Sequence, residues 1–408
     1  MRKLLLTLLL SFPLALLAQR GEMSNEGKLY VSPETLLTSE SHFINHSSGE
    51  YTNDGEVLLR RNFHNDGLTS FTSGKKGYTR FQGFEVQEIS GDLMADFYDI
   101  LFDNTKADYS FLLSGSMSVH GQADFYRGIV DNHNYSGSMI FNQDAIHIAT
   151  SDKSYVEGQV EKKGNNSFIF PIGKKQMYRP GGVILLGDSP VHYAGEYQAY
   201  NSNTNFPHDQ RTIEVLDIDE KEFWTIEDPV SDEAVLISLS WDERITPSRL
   251  LKDYKALVVL AWDLTQRKWV SLGGTADPKS NTLISIVEGQ RFKTFTLGTI
   301  RVIPEEDDFI IYNAVNPKDV GGNDYFKIVG IDKFPENRVR IYNRWGVLVF
   351  DQRKYDSNDN VFRGMSDGRS TLSRDEGLPV GAYYYILDYV VPSTSKSKSI
   401  QGYLYLNR

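Results

Sequence analysis

The stretch Ala107-Asp108-Tyr109-Ser110-Phe111-Leu112-Leu113-Ser114-Gly115-Ser116-Met117-Ser118-Val119-His120-Gly121-Gln122-Ala123-Asp124-Phe125-Tyr126 decides the reading of the N-terminal region. It is a succession of brief apolar bursts closed by Ser-Gly or His-Gly, and it lacks the period of an amphipathic helix. Segments 107–111 and 122–126 bury little alone and gain only by stacking on a similar neighbour. The same texture runs over residues 29–160, with bursts at Val57-Leu58-Leu59, Phe81-Gln82-Gly83-Phe84-Glu85-Val86 and Met139-Ile140-Phe141. Turn signals such as Asn53-Asp54-Gly55, Asn65-Asp66-Gly67, Ser90-Gly91 and Ser136-Gly137 recur at irregular intervals of roughly 10 to 25 residues. An irregular parallel β-solenoid over residues 19–165 is the favoured reading, and a sandwich meets the same arithmetic.

Composition agrees with an all-β chain: 23 Tyr, 22 Phe and 33 Gly suit pleated strands joined by tight turns. At 408 residues two or three domains are expected. The absence of cysteine excludes disulfides, thiolate metal sites, cysteine nucleophiles and a lipobox anchor together. A net charge of -11 with no basic stripe argues against nucleic acid as a partner.

Residues 1–18 read as a secretory signal peptide: Arg2 and Lys3 precede an apolar run over 4–17, and Ala18 supplies a small residue before Gln19-Arg20. The run falls short of the roughly 20 residues that span a bilayer core.

After Pro171-Ile172-Gly173 and Tyr178-Arg179-Pro180-Gly181-Gly182 the strands lengthen, and residues 166–300 read as an antiparallel sandwich. About eight strands are expected, at 183–186, 191–200, 222–226, 235–241, 257–264, 268–272, 282–286 and 294–297. Thr265-Gln266-Arg267 reads as a hairpin loop, and 247–254 as holding one helical turn. Residues 301–308, with Pro304-Glu305-Glu306-Asp307-Asp308, read as a linker. What favours a solenoid before this sandwich is a resemblance to the N-terminal region of many Bacteroidetes surface proteins. There, rung-like turns lead into a segment that corresponds to 154–173 here.

Residues 309–408 read as a small C-terminal Ig-like β-sandwich. Val339-Arg340-Ile341-Tyr342 and Val347-Leu348-Val349-Phe350 alternate around the turn Asn343-Arg344-Trp345-Gly346. Leu378-Pro379-Val380-Gly381 feeds a strand in which Tyr383, Tyr385 and Leu387 face one way and Tyr384 and Ile386 the other. These motifs, with Asn313, Asn323-Asp324-Tyr325-Phe326 and the closing Gly402-Tyr403-Leu404-Tyr405-Leu406-Asn407-Arg408, resemble the gliding-motility-associated C-terminal domain. That domain is the type B sorting domain of the type IX secretion system. By this resemblance Asn313, Asn323, Asp324, Phe326, Asn343, Arg344, Trp345, Gly346, Pro379, Gly381, Tyr383, Gly402 and Arg408 form the sorting signature. Two positions depart from the family: Pro317-Lys318-Asp319-Val320-Gly321-Gly322 replaces Pro-Asn-Gly-Asp-Gly, and Phe362-Arg363-Gly364 replaces Trp-Asp-Gly.

The resemblance implies Sec export, passage through the type IX translocon, and a secreted or cell-surface address with an outer-membrane retention partner of the gliding-motility type. It leaves the cargo's activity open. Histidines at 42, 46, 64, 120, 133, 147, 192 and 208 are scattered without metal-ligand spacing on a helical face, so no metal or cofactor is expected. Asp124, Asp131 and Asp144 could line a solenoid face as acid and base, although turn capping accounts for most such Asp. Asp217-Ile218-Asp219-Glu220 and Glu305 to Asp308 read as solvated acidic faces, and Trp224, Trp241, Trp262, Trp269 and Trp345 as core. The expected function is a structural or adhesive surface protein, not an enzyme, that binds glycan or matrix. The alternative is a secreted carbohydrate-active enzyme, a lyase or hydrolase, built on the solenoid.

Overall fold

The computed structural model describes residues 21–106, 109–228, 233–301, 309–318, 323–366, 377–392 and 396–407. The signal peptide read at 1–18, nearly all of the linker read at 301–308, and Arg408 lie outside the described residues.

The N-terminal region is a three-sided parallel β-solenoid. Each rung contributes one short strand to each of three sheets. The first rung is Glu22–Asn25, Lys28–Val31 and Leu36–Ser39, and the second His42–Asn45, Glu50–Asn53 and Glu56–Leu59. Register partners Phe43 and Phe63 lie 20 residues apart, while Phe63 and Ile89 lie 26 apart, so the coil length is irregular. That irregularity explains why the turn signals have no fixed period.

Two devices hold the rungs together. Inside, aromatic rings stack from rung to rung, Phe43 on Phe63 at 5.6 Å and Phe81 on Phe102 at 5.8 Å between centroids. At one corner a buried asparagine ladder satisfies itself: Asn25 Nδ2 donates to Asn45 Oδ1 and Asn45 Nδ2 to Asn65 Oδ1, each at 2.8 Å. Ser90-Gly91 turns beneath this corner, where Gly91 has φ +121° and a Cβ would stand 2.1 Å from Asn65 O.

The last solenoid strand in the second sheet, Val160–Gly164, pairs antiparallel with Val191–Gln198. The sheet continues through Phe223–Glu227, Thr294–Ile300, Leu257–Asp263 and Lys268–Ser271. A second sheet, Phe168–Phe170, Gly181–Leu185, Val235–Ser240, Thr282–Ile284 and Thr275–Asp277, closes the sandwich. One apolar core runs without a break from Val31 in the first rung to Leu297 in the sandwich. Among the described residues the only helical turns are three 3-10 segments, one of them Leu250–Lys252 within the stretch read as a helical turn.

The C-terminal unit has its own core around Phe326, Val339, Tyr385 and Leu404. Its main sheet orders Ala314–Val315, Lys396–Leu406, Gly381–Val391, Asn337–Tyr342 and Leu348–Arg353. The alternation read in the sequence holds: Tyr383, Tyr385 and Leu387 are buried, while Tyr384 and Ile386 are half-buried on the other face.

Candidate functional site

The turn between Asn337–Tyr342 and Leu348–Arg353 is built by one side chain. Asn343 Oδ1 accepts the backbone N–H of Trp345 and of Val347, each at 3.0 Å, and Gly346 takes φ +72° to close the loop. The turn thrusts its central residues outward. Trp345 is 71% exposed, with the Arg344 guanidinium 5.2 Å over its ring. Trp345 therefore departs from the core role read for it, because a four-residue turn with Asn and Gly at its ends leaves nothing to pack on. Trp224, Trp241, Trp262 and Trp269 are buried.

The other residues read as signature positions lie in the unit's core and along its sheet edges. Phe326 is fully buried against Tyr385 at 4.9 Å between ring centroids. Tyr383 donates its hydroxyl to Pro379 O at 2.7 Å, and Gly381 starts the long strand at φ +153°. A Cβ on Gly402 would stand 2.7 Å from Tyr385 Oη, so the strand can pass that ring only as glycine. At the opposite sheet edge Asn313 O accepts the Tyr405 N–H at 2.6 Å, and Asn323 O accepts the Asn316 N–H at 2.7 Å. Asp324 pairs with Arg363, the residue at the centre of Phe362-Arg363-Gly364. Phe362 is buried there, so the aromatic packing position is filled. The rearranged turn at 319–322 lies outside the described residues.

Residues 309–406 match the family model of the CHU_C type IX secretion signal domain. The C-terminal unit is that domain. No curated protein and no solved structure matches the chain. The type IX secretion signal domain directs the chain to the type IX machinery, with which it interacts, and makes it an exported protein, secreted or held at the cell surface.

The cargo carries two polar groupings on its solenoid. On the third sheet, Asp124 stands on the outer face one rung from Asp103, and Asp103 accepts bonds from Gln82 Nε2 at 2.8 Å and Arg127 Nε at 3.0 Å. Burial, then the charge of Asp103, raises the Asp124 carboxyl above its ordinary range. Asp131 is turned into a local cap on Asn134, at 3.0 Å from its backbone N, and Asp144 receives Asn166 Nδ2 at 3.2 Å. The three are not brought together. On the second sheet Ser118 Oγ donates to Asp96 Oδ1 at 2.5 Å and lies 3.1 Å from His120 Nε2. The imidazole is thus not aligned between hydroxyl and carboxylate as a nucleophile relay requires.

Along the corner after the third sheet, Arg61 lies 5.0 Å over Phe84 and Arg127 lies 5.7 Å over Tyr126. Phe84 is 54% and Tyr126 63% exposed. These two exposed aromatics lie 42 residues apart in the chain, and no period in the sequence links them. Phe84 follows Tyr78–Phe81 of the third rung and Tyr126 lies at the end of Gln122–Arg127 of the fifth, and the register sets Arg127 opposite Asp103 rather than opposite Phe84.

The acidic run at 217–220 departs from a solvated face. Asp219 is fully buried next to the sandwich's interior pair, in which Arg179 binds Glu222 at 2.8 Å and 2.7 Å. Arg249 bridges Asp217 and Glu220 outside. The strand Val215–Ile218 turns Asp219 inward as it joins the sheet edge. Among the described residues no three His, Asp or Glu side chains converge as metal ligands would.

Proposed function

We propose that residues 19–300 form a structural or adhesive module that binds an extended glycan at the cell surface. The exposed aromatics Phe84 and Tyr126, one just after and one at the end of a third-sheet strand, carry this reading. Two exposed aromatic rings, each with an arginine over it, stand two rungs apart, roughly 10 Å along the solenoid axis at the usual strand spacing. Aromatic faces stack on the apolar faces of sugar rings, while the half-exposed Arg127 guanidinium offers N–H donors to hydroxyls. The continuous core fixes the rungs that present them, which lowers the ordering entropy that opposes binding. At the surface, an outer-membrane partner of the gliding-motility type retains the protein.

A second reading, a glycan-cleaving enzyme, draws on Asp124, whose raised carboxyl lies one rung from Asp103 in the manner of an acid beside a base. A glycan array with the purified protein separates the two. The binding reading expects retention of polysaccharide that Phe84→Ala together with Tyr126→Ala abolishes, without release of fragments. Fragment release that Asp124→Asn stops would reverse the ranking. Deleting residues 309–408 is expected to leave the chain in the periplasm by surface-accessibility assay.

A further inference from the structure

The outer face of the signal domain's main sheet carries a cross-strand tyrosine ladder. Tyr342 and Tyr384 lie 6.4 Å apart and Tyr384 and Tyr403 5.6 Å apart between ring centroids. On the sandwich, Ile184 and Leu236 are register partners on the second sheet, and they alternate with Val183 and Ile237, which belong to the core. Ile184 and Leu236 therefore point away from that core, yet each is only 5% exposed. The signal domain covers this face. Tyr403 donates its hydroxyl to Glu288 Oε1 at 2.9 Å, and Arg344 of the exposed turn pairs with Asp188. Burial and then Glu288 push the Tyr403 hydroxyl up to about 12, so the donor stays protonated at physiological pH.

The contact is not packed like a core. Two clefts of about 300 Å³ and 530 Å³ run between the units. The first has Ile184 and Ile284 on one wall and Tyr312 and Tyr405 on the other, and the second has Tyr384 facing Ala234. Amphipathic rings, a part-buried hydrogen bond, a surface ion pair and unfilled space among the described residues make an interface that forms and opens.

We propose that the tyrosine face is a docking surface whose resident partner is the outer face of the sandwich's second sheet, and that the pair forms a releasable latch within one chain. The latch holds the signal domain against its cargo by Tyr403–Glu288 and Arg344–Asp188 while Trp345 stays exposed. Opening it bares both the tyrosine ladder and the Ile184–Leu236 face. The inference does not depend on the glycan reading.

The chain has no cysteine, which permits a direct test. Ser280→Cys with Asn316→Cys places one thiol on each wall of the smaller cleft. Treatment of the dilute purified protein with a bismaleimide that spans the cleft is expected to link the two thiols within one molecule. Adding Glu288→Lys and Tyr384→Glu, with the β circular dichroism retained, is expected to lower the yield roughly tenfold. Ser280→Cys with Ser397→Cys, which lies toward the far end of the last hairpin, is the control and is expected to give little product. Equal yields for the two cysteine pairs, no intramolecular product, or links that form only between molecules as concentration rises would each overturn the latch.

Discussion

Asn45 shows how one side chain can hold three rungs. It is fully buried, accepts from Asn25, donates to Asn65 and also reaches Leu68 O at 3.1 Å. Asn45→Leu keeps the branched outline in a somewhat larger side chain but strands the partner groups, and a cost of roughly 2–3 kcal/mol is expected from the unsatisfied polar atoms. A urea midpoint that falls with an unchanged slope would match this; a loss within about 0.5 kcal/mol would not. Asp219 argues the opposite case. Burial first, then Glu222, raises its carboxyl well above the ordinary value, and its Oδ2 has no partner. A folded state that holds a proton more tightly than the unfolded one loses stability as pH climbs past the unfolded carboxylate range. Asp219→Asn removes that loss while its amide oxygen can still accept the Lys221 N–H now bound at 2.7 Å. The variant is expected to melt with the parent at strongly acid pH and above it by neutral pH, as followed by thermal melts across the range. A difference that shrinks as pH rises would reverse the assignment.

At the scale of elements, the seam between solenoid and sandwich depends on Lys162 in Val160–Gly164. Its Nζ donates to Asn142 O at 2.6 Å, Gln143 O at 2.8 Å and Ala145 O at 3.1 Å, and lies 5.0 Å from the Phe168 ring centroid. Burial pushes its amine down to about 8, yet the three carbonyls give the proton a place. Lys162→Met leaves the carbonyls of that turn without a donor, and a loss of about 2–4 kcal/mol is expected. Hydrogen exchange accelerated in residues 142–146 more than in the distant rungs would place the damage at the seam. Uniform acceleration would not. The strands here were legible in sequence: those read at 183–186, 235–241, 257–264 and 268–272 lie on Gly181–Leu185, Val235–Ser240, Leu257–Asp263 and Lys268–Ser271. Strands such as Val215–Ile218 and Thr275–Asp277 were passed over, because each is a short edge piece with little alternation of its own.

For the whole molecule, the shared core predicts how it melts. Solenoid and sandwich bury one continuous cluster and share a sheet through Val160–Gly164 and Val191–Gln198, whereas the signal domain has its own cluster. Calorimetry of the intact protein is expected to resolve two transitions, one for residues 21–301 and one for 309–407. A third, with the solenoid melting apart from the sandwich, would contradict a common cooperative unit. By itself the sequence determined the all-β class of the described regions: aromatic, glycine-punctuated bursts can bury their faces only as stacked or paired strands, and the turn from Asn343 to Gly346 sets its own hairpin. Local chemistry suffices for such features, because each involves neighbours within a few residues. Tertiary structure alone decided which rungs align, that Asp219 is buried while Trp345 is bare, that Arg61 lies over Phe84, and that a tyrosine face meets the outer face of the sandwich. Those outcomes depend on coil lengths that vary from rung to rung and on contacts between residues far apart in the chain, and pairwise geometry of that kind leaves no period in the sequence.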